Sequence, residues 1–199
     1  MIPEPIKKFI EAFAKLPSIG PRLATRLAFY LTKLDKPTLN QLESAFDDLK
    51  KVERCEQCFF LKETGKKLCA ICSDQKRDKT TIAIIEKETD LMSLEKTRKF
   101  IGHYLLLEEL PERGVLEPAQ KLRLQHLKER IKKELNGKAK EIIIALNLNT
   151  LGDFTADIIR QEFKDLAEKI TRLGRGIPTG GEIEFADEET LSNALERRS

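Results

Sequence analysis

All four cysteines of the chain lie within eighteen residues, as Cys55-x2-Cys58 and Cys69-x2-Cys72. Two C-x-x-C pairs on facing turns aim four thiolates at one point, the donor set of a tetrahedral zinc site. Closing such a site supplies folding free energy to a loop too short to build a core. The ten-residue spacer, Phe59 to Leu68, contains Gly65, where a tight turn forms readily. A pair of disulfides is the alternative use of these cysteines. That arrangement suits an oxidising compartment, and the N-terminal MIPEPIKKF has no apolar secretory leader. The expectation is one structural zinc per chain, held by Cys55, Cys58, Cys69 and Cys72, in a cytoplasmic protein.

A second group of residues suits phosphate. The stretch Leu16-Pro17-Ser18-Ile19-Gly20-Pro21-Arg22-Leu23-Ala24-Thr25-Arg26-Leu27 predicts two helices joined by a tight turn at Gly20. In such a helix-hairpin-helix, glycine lets the turn approach a phosphate, and the free N–H groups and dipole of the second helix hold it. Arg22 and Arg26, four residues apart, share a helical face and add charge-assisted contacts. Lys15 belongs to the same basic segment, where Lys7, Lys8, Lys15, Arg22, Arg26 and Lys33 face only Glu4 and Glu11. Contacts of this kind read the backbone and not the bases, so DNA binding is expected to be sequence-independent and salt-sensitive. The competing interpretation is an ordinary turn between helices with solvated arginines.

These side chains need elements to position them. Helical periodicity covers residues 5–16, 21–34 and 37–49, ahead of the cysteines. From Thr80 the texture changes to apolar, β-branched runs at 81–86, 101–107, 141–146 and 169–173. Helical patterns at 88–99, 118–135 and 153–168 alternate with them. That alternation predicts a mostly parallel sheet covered on both faces. Asn136-Gly137 is a stop for the third helix of this region, and a short strand at 183–185 precedes a last helix through Leu191 and Leu195. The fold class is therefore α/β with a small α-helical N-terminal part. Its expected divisions are 1–54 (hairpin), 55–79 (cysteine module), 80–174 (α/β domain) and 175–199 (strand/helix tail).

Hydrophobic residues make up 40% of the 199 and charged residues 35%, enough for a core and a solvated surface. No apolar run approaches the ~20 residues that span a bilayer, so no membrane partner is expected. The net charge of +3 is too small to establish a nucleic-acid partner by itself. His103 and His126 stand apart from the cysteines and are expected to be surface or packed residues. The run Lys121 to Glu134 interleaves both signs with Leu122, Leu124, Leu127 and Ile131, which predicts a solvated helix with one packed face. Phe59 and Phe60 are expected to pack over the cysteine module.

Glu86 ends the first strand of the α/β region, where the chain resembles Toprim domains. The resemblance implies a metal-binding carboxylate there and an Asp-x-Asp after a later strand, which together hold Mg²⁺ beside phosphate. Here that later strand runs into Asn147-Leu148-Asn149-Thr150-Leu151-Gly152, and Asp153 and Asp157 lie further on. The expectation is a non-catalytic Toprim-like domain, with Glu86 left as a weak metal or partner contact.

With hairpin, four-cysteine module and Toprim-like domain in this order, the chain resembles the RecR family of bacterial recombination mediators over nearly its whole length. Residues 16–31 and the tail from Arg175 through Asp187 to Leu191 carry the resemblance most specifically, the tail being Walker-B-like. No Walker A motif is present, so ATP hydrolysis is not implied. The chain departs from the family in having Leu107-Glu108-Glu109-Leu110 where a Gly-rich stretch is usual. Only Asn147, Gly152 and Thr155 remain of the Asn-Pro-Thr-x-x-Gly motif. The resemblance implies a ring-forming homo-oligomer, dimer or tetramer, that acts with RecO-like and RecF-like proteins to load RecA recombinase on gapped or single-stranded DNA. The alternatives are a Mg-dependent Toprim nuclease or primase-like enzyme, and an adaptor that touches only protein.

Overall fold

The computed structural model describes residues 2–111, 114–174 and 176–196. They form two compact units, 1–52 and 53–199. Three helices make up the first: α1 (Glu4–Phe13), α2 (Pro21–Leu31) and α3 (Lys36–Leu49). Each has a proline in its first turn, where the missing N–H has no helical partner to lose. The left-handed residue of the α1–α2 turn is Ser18, at φ 63°, and not Gly20. Gly20 is the extended N-cap of α2 (φ −79°, ψ 169°), and nothing lies within 4 Å of where its Cβ would stand. Its contribution is an open approach to the helix end.

Packing in this unit is thin. Ala24 and Ala28 are its fully buried residues among those described. Phe9 and Phe13 stack at 3.9 Å between ring centroids, and Phe13 meets Phe46 edge-on at 6.0 Å. With Leu27, Leu31, Leu39 and Leu42 these rings line an open apolar cavity of about 500 Å³.

In the second unit the cysteine loop holds more regular structure than its sequence suggested. Strands β1 (Val52–Arg54) and β2 (Leu61–Glu63) form a two-stranded sheet, and a one-turn helix α4 (Ala70–Ser73) follows. Gly65 turns the chain after β2 at φ 86°.

Then come β3 (Asp78–Ile85), α5 (Glu88–Lys96), β4 (Gly102–Leu106), α6 (Pro118–Glu134), β5 (Ala139–Ala145), α7 (Thr150–Phe163) and β6 (Ala167–Arg172). The strands run in the order β4-β3-β5-β6, with every neighbouring pair parallel. Helix α5 is shorter than the expected 88–99, and Arg98 just beyond it takes φ 56°. Helix α7 starts before residue 153 because the Asn149 side chain caps it, accepting from Gly152 N at 2.8 Å. Asn136 and Gly137, at φ 54° and 87°, end α6, and the Gly137 N–H donates to Ile131 O at 3.2 Å.

The period-two alternation of β3 divides the core. Ile82 and Ile84 pack toward Leu124, Leu127 and Ile131 of α6 and Ile159 and Phe163 of α7. Ala83 and Ile85 pack toward Tyr104, Leu106 and Leu91 of α5. Helix α6 has its packed face, with two revisions. Leu122 is exposed, while Arg123 and Arg130 are buried, because the spacing 123-124-127-130-131 puts both arginines on the sheet side.

The expected strand at 183–185 is a 3-10 turn, Ile183–Phe185, followed by α8 (Glu188–Glu196). Both Ile183 and Phe185 are exposed, and with no strand beside them among the described residues the segment bonds to itself, Phe185 N–H to Glu182 O and Ala186 N–H to Ile183 O, both at 3.2 Å. Asp187 accepts from the N–H and hydroxyl of Thr190, both at 2.8 Å, which explains its place just before α8. Arg175 and residues 197–199 of the expected tail lie outside the described residues.

Gly152 lies in the first turn of α7 where an added Cβ would stand 1.9 Å from the backbone oxygen of Asn147. No side-chain rotation relieves that clash. Gly152→Ala is expected to lower unfolding free energy by about 3 kcal/mol, the upper end of the overpacking range, measured by denaturant titration. An unchanged midpoint would show that the Asn147–Gly152 loop yields freely.

Candidate metal centre and nucleic-acid interface

The four cysteines are buried and unbridged. Their sulfurs all lie within 4.8 Å of one another, and Cys58 Sγ and Cys69 Sγ are 3.5 Å apart. A tetrahedral zinc with Zn–S bonds of about 2.3 Å sets sulfurs about 3.8 Å apart, so the donors fit that ion. No disulfide is formed. The Cys69 N–H donates to Cys55 Sγ at 3.3 Å, and Phe60, Leu68 and Ile71 pack around the sulfurs. Hydrogen bonding with Cys58 first, then Cys69 and Cys72, holds the Cys55 thiol far below its ordinary range. The same sharing, led by Cys55, pushes the Cys72 thiol far above it. Four sulfurs this close do not all ionise unless a cation joins them.

The cysteine loop is fastened to the sheet. The Leu106 N–H at the end of β4 donates to the Cys58 carbonyl at 2.9 Å. Arg54 donates to the Phe59 carbonyl at 3.2 Å and pairs with Glu88 at 2.5 Å. Phe59 itself takes φ 64° and packs against both core clusters of the sheet, not over the sulfurs as expected; Phe60 alone does that. The Arg123 guanidinium lies 4.9 Å from the Phe59 ring centre, and His126 meets the same ring edge-on at 5.3 Å. His103 is fully buried, with Nδ1 3.2 Å from the Gln57 amide nitrogen between the first two cysteines. Burial first, and then the neighbouring Arg130 charge, pushes its pKa down to about 4. Neither histidine joins the sulfur cluster.

Strand order places a second site. Chain order and spatial order diverge between β3 and β5, and the crevice outside their carboxyl ends is where an open parallel sheet offers a ligand site. Glu86 follows β3 and is buried; Asn147 follows β5. The Asn147 amide donates to Glu86 Oε2 at 2.7 Å, and the Leu110 N–H donates to Oε1 at 3.4 Å. Asn149, two residues on, is spent capping α7. The Asp-x-Asp positions thus hold Asn-x-Asn, which is neutral. Asp153 pairs with Arg172 at 2.5 Å and does not join Glu86. Around this edge Glu108 is bonded by Arg123 and by Arg54, and Lys87 pairs with Glu109 at 2.9 Å. Sequence inspection missed Arg123, since a buried Arg in a charged helix carries no periodic mark.

In the N-terminal unit, Lys15, Gly20, Arg22 and Arg26 are all exposed. Pro21 has no N–H, and Ala24 donates to Gly20 O at 3.0 Å, so the N–H groups of Arg22 and Leu23 have no helical acceptor. Among the described residues no carboxylate pairs with Lys15, Arg22 or Arg26, although Lys7 pairs with Glu4 at 3.7 Å nearby in sequence. The helix end and its two arginines are open to an anion.

Comparison with known proteins agrees with this order of parts. Residues 6–49 match the RecR helix-hairpin-helix model, 80–174 a Toprim domain, and 176–199 the RecR C-terminal model. The recombination protein RecR of Chloroflexus aurantiacus is 38% identical, covering 100% of this chain and 95% of that protein. RecR of Lactococcus lactis is 38% identical over 98% of this chain and 97% of its own length. That of Bifidobacterium animalis is 40% identical, over 97% and 94%. Likeness at this level along the entire length, with hairpin, Toprim domain and C-terminal segment in sequence, means that the chain belongs to the RecR family.

Proposed function

We propose that the protein is a non-enzymatic, DNA-binding accessory of recombinational repair. It assembles as a ring on gapped or single-stranded DNA and, with RecO-like and RecF-like partners, helps to load RecA recombinase. The observation that carries this proposal is the pairing of an open, basic helix end with a Toprim edge whose remaining carboxylate is held by an amide. Arg22, Arg26, Lys15 and the backbone at Gly20 bind phosphate, while among the described residues Glu86 has no second acid with which to hold Mg²⁺. On this view 1–54 grips DNA, 55–79 is the zinc module, 80–174 presents partner surfaces and 175–199 contributes to assembly. Zinc on Cys55, Cys58, Cys69 and Cys72 supplies the folding energy that three-residue strands lack.

Self-association is supported by the apolar cavity of the hairpin unit. Phe46 and Leu49 are exposed there, and a unit of this size with two buried alanines has too little core to be comfortable alone. A closed ring encircles DNA without sequence contacts, which a single copy of this chain cannot do.

Arg22→Ala with Arg26→Ala is expected to weaken oligonucleotide binding. It should also lower the slope of log affinity against log salt by about 2, at about 0.9 per duplex phosphate contact. Fluorescence anisotropy at three salt concentrations reads both. Unchanged affinity and slope would favour the protein-only adaptor, and a monomeric mass in solution would remove the ring.

Metal analysis of the purified reduced protein should give one zinc per chain, and Cys69→Ala less than one with a lower melting temperature. A fully folded Cys69→Ala variant with stoichiometric zinc would remove this ligand set.

Asn147→Asp sets a second carboxylate against Glu86. It should cost about 1–3 kcal/mol, from the lost hydrogen bond and the unpaired buried charge, and millimolar Mg²⁺ should recover part of the loss. The native chain should show no Mg²⁺-dependent gain in melting temperature and no turnover of DNA. Magnesium-dependent cleavage or nucleotide incorporation, abolished by Glu86→Gln, would establish the enzymatic alternative instead.

A further inference from the structure

Helix α6 carries a charge for which neither the sheet nor the DNA-binding surface has a use. Arg130 is only 5% exposed, and both of its Nη atoms are shielded from solvent without a hydrogen-bond partner. A guanidinium in that position is costly unless an anion faces it. Glu134, one turn along the same helix, is exposed and does not bond those nitrogens. Arg123, the other buried arginine of α6, shows the contrast: it donates to Leu106 O at 2.9 Å and bonds the Glu108 carboxylate.

The surroundings of Arg130 point to the cysteine centre. It lines a cavity of about 360 Å³ with Glu56, Glu129 and Glu134, none of which bonds its Nη atoms, and with Gln57 and Leu68, the chain neighbours of Cys58 and Cys69. Desolvation lowers the proton affinity of Arg130, and the groups that oppose this are Cys72, Glu134, Cys58 and Cys55. Three of those four groups are members of the sulfur cluster. Without metal the four sulfurs cannot all ionise, so they offer a buried cation less negative charge. Binding Zn²⁺ releases the thiol protons and leaves four thiolates around one dication, a centre of net charge −2.

We propose that Arg130 is the counter-charge of the zinc–thiolate centre, and that it raises the affinity of the site for metal. Arg130 is thereby a positioning residue acting through the cysteines. The proposal rests on the assignment of Cys55, Cys58, Cys69 and Cys72 as zinc ligands. It gives the arginine a conditional worth: with metal bound it offsets one of two negative charges, and without metal it is a buried charge facing a cluster that is at most partly ionised.

The test is zinc affinity of the full-length protein, by competition with a chromophoric chelator at fixed pH and salt, for the native chain, Arg130→Lys, Arg130→Gln, Arg130→Met and Glu134→Gln. Removing the charge should weaken zinc binding by about 10- to 100-fold, the range for partners that support a metal's ligands. Arg130→Lys, which keeps the charge without the planar fork, should fall between the native chain and Arg130→Gln, and Glu134→Gln should match the native chain. Substitution with Co²⁺ gives a second readout: the thiolate-to-metal absorption of each variant should saturate in the same affinity order with an unchanged tetrahedral envelope. Equal affinity across the native, lysine and glutamine forms overturns the counter-charge even where zinc is bound. Should Arg130→Met fail to fold, the order Arg, Lys, Gln decides by itself. A native chain that binds no zinc would overturn the ligand assignment as well, which separates the two failures.

Discussion

Four sulfurs drawn to within 4.8 Å of each other form the constraint on which the second unit depends. The segment that carries them has two three-residue strands, one turn of helix and almost no apolar core of its own. Its shape follows from the convergence of thiols, a donor set that fits a tetrahedral metal ion. The consequence reaches the sheet, because the Cys58 carbonyl closes the end of β4 through Leu106 and Phe59 enters both core clusters. Fixing the sulfurs therefore fixes the β4 edge and the packing of α6 against it.

The ends of β3 and β5 tell a complementary story about charge. A Toprim edge that works on phosphodiesters gathers carboxylates and balances them with metal. Here one acid survives, its lone pairs are taken by an amide and a backbone N–H, and the neighbouring acids are bonded by Arg54, Arg123 and Lys87. Protein cations thus balance the acids along this edge. The hairpin unit shows the reverse, with Arg22 and Arg26 left unpaired on the surface. One unit pairs its charges internally, and the other exposes its cations.

Much of this was legible in the residues, and the exceptions have physical causes. Apolar β-branched runs gave all four strands of the parallel sheet, since a strand buried on both faces has no polar alternation to confuse it. Cysteine spacing gave the sulfur cluster because C-x-x-C restricts geometry so narrowly. The strand/helix tail was half right: Ile183 and Phe185 have strand character, yet backbone pairing is a property of a neighbour and not of the segment. In the α1–α2 turn Gly20 is the open N-cap of α2, while the left-handed residue, which no pattern marked, is Ser18. Arg123 and Arg130 were invisible for a deeper reason. In a helix with so many charges, only the direction of the sheet decides which cations are covered.

Glu108 shows how one departure from the family pattern is accommodated. It occupies a stretch where RecR proteins usually carry glycines, and it takes φ 76°, the region that suits glycine. An L-residue there costs roughly 1–2 kcal/mol. Its carboxylate offsets part of that cost through bonds from Arg123, which is nearly buried, and from Arg54 at 3.4 Å, since a partly exposed ion pair contributes about 1 kcal/mol or less. Those arginines are the same ones that hold Phe59 and its carbonyl in place. A side chain has thus replaced backbone freedom with an ion-pair network, and that network ties the cysteine loop, β4 and α6 into one body. The glycine-bearing version of this turn would be relaxed but would leave both arginines without their shared anion, so the substitution at 108 and the burial of Arg123 make physical sense only together.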